Sequence, residues 1–174
     1  RQNIVTDDYA FVPAQAPRGL FMAGIYRDEI ADLAADGCTY LQLDETALPC
    51  NCDDGARMAV RERGEDPDEL TDAYIRLIND ALAERPVGMT VALHMCRGNL
   101  KGAWMAEGGY EPIAEQLFRG LEVDAYFMEY DTQRPDNFGP LHHLPNDKVV
   151  VLRLISSKTP ELEPKDEIKR RING

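Results

Sequence analysis

From Arg27 to Asp36, apolar residues fall at 30, 33 and 34, a helical spacing, and Gly37 follows as a residue suited to ending the helix. Cys38 to Leu43 then reads as a short strand running into the acidic pair Asp44 and Glu45. Residues 46–67 are rich in Pro, Gly and charge and read as a long loop with room for one helical turn. A helix is predicted from Asp68 to about Glu84, with Leu70, Tyr74, Leu77, Ile78 and Leu82 on one face. Pro86 and Gly88 punctuate the chain before a second strand, Met89 to His94. A glycine-rich loop (Gly98, Gly102, Gly108, Gly109) leads into a helix over about 111–119, closed by Gly120. Val123 to Met128 is the third predicted strand and again runs into an acid, Glu129. After a loop rich in Pro, Asn and His come a fourth strand, Lys148 to Leu154, and a final helix from near Lys165 to the end.

Strands that are nearly continuous apolar runs, separated by helices, predict a parallel α/β sheet with both faces covered. Four such units make half of a (β/α)8 TIM barrel, and the alternative is a small doubly wound sheet. Each predicted strand delivers polar residues at its C-terminal end: Asp44 and Glu45, His94 and Cys96, Glu129 and Asp131, then Ser156 to Lys158. Barrel active sites are assembled at that end from several strands, whereas a doubly wound sheet focuses chemistry at one switch point. With no Gly-rich phosphate fingerprint after the first strand, the expected fold is the C-terminal half of a TIM barrel, with residues 1–174 one partial domain.

Composition narrows the function classes. Of 174 residues, 44% are hydrophobic and 29% charged, the profile of a globular domain. No apolar run approaches the roughly 18–20 residues of a membrane span, and no signal segment opens the chain, so a cytoplasmic protein is expected. A net charge of −12, with dispersed basic residues, argues against a nucleic-acid groove, which needs clustered Lys and Arg. The first residue is Arg1, not Met, which suggests that residues upstream are missing.

His94-Met95-Cys96 is the sharpest chemical signal. On a strand, side chains two apart share a face, so both can reach one metal, and zinc accepts imidazole nitrogen and thiolate sulfur. Glu129 ends the next strand, about 4.8 Å away in a parallel sheet, where its carboxylate can complete a His/Cys/Glu ligand set. Read singly, each of these residues fits a bland role as well: a strand-end hydrogen bond for His94, core filler for Cys96, a solvated acid for Glu129.

Three stretches together resemble the cobalamin-independent methionine synthase family: Tyr40-Leu-Gln-Leu-Asp-Glu45, His94-Met-Cys-Arg-Gly-Asn99 and Asp124-Ala-Tyr-Phe-Met-Glu-Tyr130. Gly108-Gly-Tyr-Glu-Pro112 and Ser156-Ser-Lys-Thr-Pro-Glu-Leu-Glu163 are similar to signatures of its shorter single-barrel branch. The resemblance covers nearly the whole chain. It implies a zinc ion (Zn2+) held by His94, Cys96 and Glu129, and homocysteine bound through its amino group by Asp44, with Glu45 sharing that task. The family's fourth ligand, a later Cys, has no counterpart after Cys96, which implies truncation before it. The long synthases also carry an Asp-Ile-His-Ser-Pro run near the last strand; here Arg153-Leu-Ile-Ser-Ser-Lys158 stands in its place, without a His. His142 and His143 lie earlier, in a loop, and are not assigned that role.

The implied reaction transfers a methyl group from a methylfolate or similar donor to the thiol of homocysteine, giving methionine. Arg97 and Asn99 are expected to shape the loop beside the metal. Trp104 and Tyr110 are candidates to stack on a flat donor, or else to pack beneath the loop. Rival readings are another zinc-dependent thiol alkyltransferase, a metal-free decarboxylase on the related barrel, and a non-catalytic half-barrel module. Half a barrel leaves exposed edges and a bare interior, so the missing N-terminal half or a second copy is expected as partner.

Overall fold

The computed structural model describes residues 17–99, 101–131 and 138–173. In chain order the elements are α1 (Pro17–Ala35), β1 (Tyr40–Glu45), α2 (Ala47–Cys50), α3 (Asp54–Glu62), α4 (Pro67–Leu82) and β2 (Thr90–Met95). There follow α5 (Ala114–Gly120), β3 (Ala125–Glu129), a 3-10 turn (Gly139–His143), β4 (Val149–Arg153) and α6 (Lys165–Asn173). All four predicted strands are present, each starting one or two residues later than the apolar runs suggest.

The strands are parallel and lie in chain order, β1-β2-β3-β4, each bonded to the next. A doubly wound sheet reverses its strand order at a switch point, and this sheet does not. The register sets Asp44 opposite His94, His94 opposite Phe127, and Glu129 opposite Arg153, so these side chains share one face.

The other face makes the core. Val91, Leu93 and Met95 of β2 and Tyr126 of β3 are fully buried there, against Ile75, Ile78 and Leu82 of α4 and Leu117 and Phe118 of α5. Each such side chain contributes about 1.5–3 kcal/mol through burial. Phe118 meets Tyr126 edge to face, ring centroids 5.0 Å apart. At the lower rim, Asp124 accepts from the Val91 amide at 2.7 Å and from both terminal nitrogens of Arg85, at 2.8 and 3.2 Å. Burial alone would raise its pKa, but these donors outweigh it and hold the carboxyl below its ordinary value.

Two expectations fail here. Coverage of both faces is not what the described residues provide: on the site face Tyr40 is 49%, Val149 58% and Val151 40% exposed. Near-continuous apolar strands follow from an interior that faces other strands as readily as from one that faces helices. Second, the stretch 46–67 is not a loop with one turn but holds α2 and the nine-residue α3. The Asp53 side chain caps α3 by accepting from Ala56 at 2.9 Å. The buried residues of α3 are Val60 and Arg57, and Arg57 is buried through its ion pair with Asp68 at 2.6 Å. Val60 is the one apolar side chain this short, polar helix buries, so no run of apolar residues marks it in the sequence. Helix α1 likewise begins ten residues earlier than its pattern predicts, because Phe21, Met22, Ile25 and Tyr26 are exposed and, among its described side chains, only Ala23 and Ile30 are buried. Among the described residues no helix is long and apolar enough to cross a membrane.

Candidate metal centre

Parallel register brings three chemistry-bearing side chains to one place. Asp44 closes β1, His94 lies opposite it on β2, and Cys96 follows two residues later on the same face. One ligand atom from each, a carboxylate oxygen, an imidazole nitrogen and the thiol sulfur, all lie within 4.8 Å of one another. Asp44 is exposed and the other two are half-buried, so the group is open from the bare side of the sheet. Oxygen, nitrogen and sulfur donors at such spacing fit a first-row divalent ion, zinc above all.

Glu129 stands on the same face of the neighbouring strand but outside that trio. It is 3% exposed and fully engaged. Its Oε2 accepts the Arg97 amide at 2.8 Å, and its Oε1 takes the ammonium of Lys158, whose side chain is wholly buried. Arg153, its register partner, lies 3.8 Å from Oε1. Asp131, two residues on, faces the same cations, with its Oδ2 at 3.6 Å from Arg153 and 4.0 Å from Lys158. Burial lowers the pKa of Lys158; the neighbouring Cys96 opposes that shift and Arg97 adds to it. The side chains of Glu129, Asp131 and Lys158, all buried, and that of Arg153, 32% exposed, form a charge cluster beside the trio.

Glu45, expected to work with Asp44, points the other way. Alternation along β1 turns it to the helix side, where its carboxylate accepts the amides of Ala47 and Leu48 at the start of α2. Burial raises its pKa in spite of those amides, and the charge of Asp44 adds to the effect. Of the two roles open to Tyr110, packing beneath the loop is the one it takes: it is 1% exposed, so its ring cannot stack on a donor. Its hydroxyl donates to the Met95 carbonyl and accepts from the Glu129 amide, both at 3.0 Å, tying β2 to β3 directly below the site. Arg97 lies 4.3 Å over that ring and donates to the Glu129 carbonyl, so it does shape the loop. Trp104 is half-buried with the Lys158 ammonium 5.2 Å from its ring.

The loops that follow β1 and β2 interlock around these residues. Gly108, at φ +110°, passes so close to the Cys52 carbonyl that a Cβ would sit 2.3 Å from it. The Glu107 amide donates to Asp53 at 2.7 Å, and Asn99 reaches Ser157 at 3.2 Å. Cys50 and Cys52 stay protonated at neutral pH, since burial pushes their thiols up to about 11 and about 12. Lys158 and Arg153 are the residues whose role the motifs did not reveal. The signal for Arg153 was the register, since a cation opposite Glu129 on the next strand must share its face.

Residues 15–174 match the family model described as cobalamin-independent synthase, catalytic domain. The chain belongs to the cobalamin-independent methionine synthase family. It is 44% identical, over 181 aligned positions, to the uncharacterized protein YxjH of Bacillus subtilis, an alignment spanning 98% of this chain and 48% of that one. The uncharacterized protein YxjG of the same organism is 43% identical over 148 positions, 84% of this chain and 39% of its own. A crystal structure from Listeria monocytogenes, named as a "Putative Vitamin-B12 Independent Methionine Synthase", superposes with a TM-score of 0.67 at 34% identity. That superposition covers 90% of this chain and 42% of the other. The chain thus spans about half the length, or less, of the synthase-family relatives it matches.

Proposed function

We propose that this chain is the C-terminal half of a (β/α)8 barrel whose mouth carries a zinc-dependent methyltransferase site, acting on the thiol of homocysteine. The convergence of Asp44, His94 and Cys96 within 4.8 Å carries the reading. His94 and Cys96 would hold the ion, with Glu129 joining them from the next strand. Zinc bound there supplies a Lewis acid that lowers the pKa of a substrate thiol, so that thiolate is present at neutral pH. Asp44, exposed at the rim, accepts the ammonium of the amino-acid substrate and orients it. Tyr110 and Arg97 fix the ends of β2 and β3, so that the ligand atoms keep their spacing. In the reaction a sulfur–carbon bond forms as the bond from the methyl group to its donor breaks; the thiol gives up its proton, and the nitrogen of a methylfolate that loses the methyl group takes one up. The donor is a methylfolate or a similar methyl carrier.

The half-barrel reading is supported by the sequential strand order, the bare site face and the 39–48% of relatives' lengths that this chain matches. Its partner is accordingly the N-terminal half of the barrel. The test is metal analysis of the full-length protein, followed by incubation with homocysteine and methylated donors, with methionine detected by mass. One zinc per chain and homocysteine-dependent methionine are expected. A full-length protein that carries zinc yet forms no methionine from any donor would sink the substrate assignment, and one that takes no zinc would sink the site.

A further inference from the structure

The oxygen of Glu129 available to a metal is already taken by a cation. Oε2 is held by the Arg97 amide, which leaves Oε1, and Oε1 is paired with Lys158. The Lys158 side chain has no exposure to water, so its charge depends entirely on the acids beside it. A second acceptor stands ready. Asp131 Oδ2 is buried, has no hydrogen-bond partner among the described residues, and lies 4.0 Å from the Lys158 nitrogen, with the Arg153 guanidinium 3.6 Å away on an ion-pair contact only.

We propose that Lys158 is an internal counter-cation that holds Glu129 while the centre is empty, and passes to Asp131 when a divalent ion takes Glu129 as a ligand. The inference rests on the metal-centre reading above and adds the group that the ion must displace. Monovalent and divalent cations sharing one carboxylate oxygen in a dry site repel each other strongly, whereas a carboxylate a few ångströms away relieves that repulsion. Metal uptake is then an exchange: one ammonium contact to Glu129 breaks, one to Asp131 forms, and the thiol proton of Cys96 passes to solvent as the sulfur becomes a thiolate ligand. The exchange also accounts for the unsatisfied buried oxygen of Asp131, which becomes the acceptor that the displaced ammonium needs.

The experiment measures zinc affinity of the full-length protein by competition with a chromophoric chelator, and repeats it with Co2+, whose absorption reports thiolate ligation. Lys158→Met removes the competitor, and zinc should bind roughly tenfold more tightly, the scale of outer-partner effects on metal sites. Lys158→Gln, a milder change in case the first does not fold, should shift affinity the same way, and Lys158→Arg should not. Asp131→Asn removes the receiving carboxylate, so as a single change it should weaken binding. Combined with Lys158→Met, where no ammonium needs receiving, the same change should do little. Unchanged or weaker binding in Lys158→Met and Lys158→Gln, with Co2+ still ligated by Cys96, would overturn the exchange and leave the metal centre standing. Loss of Cys96-dependent Co2+ absorption from every protein, wild type included, would remove the metal centre itself and the exchange with it.

Discussion

Asp124 and Glu129 stand at the two ends of one short strand, and each is an acid facing a cation. Asp124, at the lower rim, keeps a guanidinium and a backbone amide in directional bonds, and its side chain is 38% exposed. Glu129, at the upper rim, is almost wholly buried, and its oxygens are shared between a fixed amide and the Lys158 ammonium, with Arg153 3.8 Å away. The first pairing is saturated: Arg85 fits both oxygens, and nothing else is needed. The second is built from an ammonium, which bonds as a point charge without the fork geometry that locks a guanidinium in place. The lower end joins strands, and the upper end is where the proposed exchange would take place. That division matches the general one in barrels, where stability concentrates at the N-terminal face of the strands and chemistry at the C-terminal face.

The largest test of this contrast is removal of a ligand at the upper end. His94→Ala should lower the zinc affinity of the full-length protein by more than about 100-fold, exceeding the usual effect of an outer partner, with little change in the unfolding temperature of the metal-free protein. If zinc content survives, the upper rim is structural after all. Gly108→Ala sharpens the contrast from another side, because the loops around the site also carry stability. A Cβ at φ +110°, 2.3 Å from the Cys52 carbonyl, should cost about 3 kcal/mol, read as a shift of the denaturation midpoint. Asp124→Ala should cost about 1–3 kcal/mol by orphaning the Val91 amide, and zinc content should stay the same. A loss of zinc in that variant would break the separation of the two ends.

The smallest expected effect is in the pH dependence. The folded carboxyl of Asp124 lies below its ordinary value of 3.8. Its stabilisation is therefore complete above that pH and is lost as pH falls through the lower folded value. Asp124→Asn should flatten this part of the acid unfolding curve. An unchanged curve would mean that Arg85 does not distinguish the charged carboxyl from the neutral amide.

The strands and their polar ends were legible because apolar runs and strand-end chemistry are local patterns. The i, i+2 spacing of His94 and Cys96 correctly implied a shared face, and the register then added Asp44. The facing of Glu45 could also have been read, since a residue adjacent to Asp44 on a strand must point to the other side. What pattern could not reveal is pairing between distant polar residues. Arg57 with Asp68, and Lys158 with Glu129, bury charge that composition reads as surface. The buried hydroxyl of Tyr110 belongs to the same class, because an aromatic ring beside a glycine-rich loop suits a ligand platform and a girder equally well.

Sequential strand order also bears on how the chain assembles. The paired positions are 50 residues apart between β1 and β2 (Tyr40 to Thr90), 33 between β2 and β3 (Ala92 to Ala125) and 24 between β3 and β4 (Ala125 to Val149). Loop-closure entropy rises with that separation by about 0.6 kcal/mol per doubling, so the ladder closes most readily at its C-terminal end. Contact formation should then run backwards along the chain, with β3 and β4 meeting first and β1 joining last. Pulse-labelled amide exchange during refolding would record that order as earlier protection of Tyr126 and Val150 than of Leu41, and the reverse order would show that helix packing, not strand separation, sets the sequence of events.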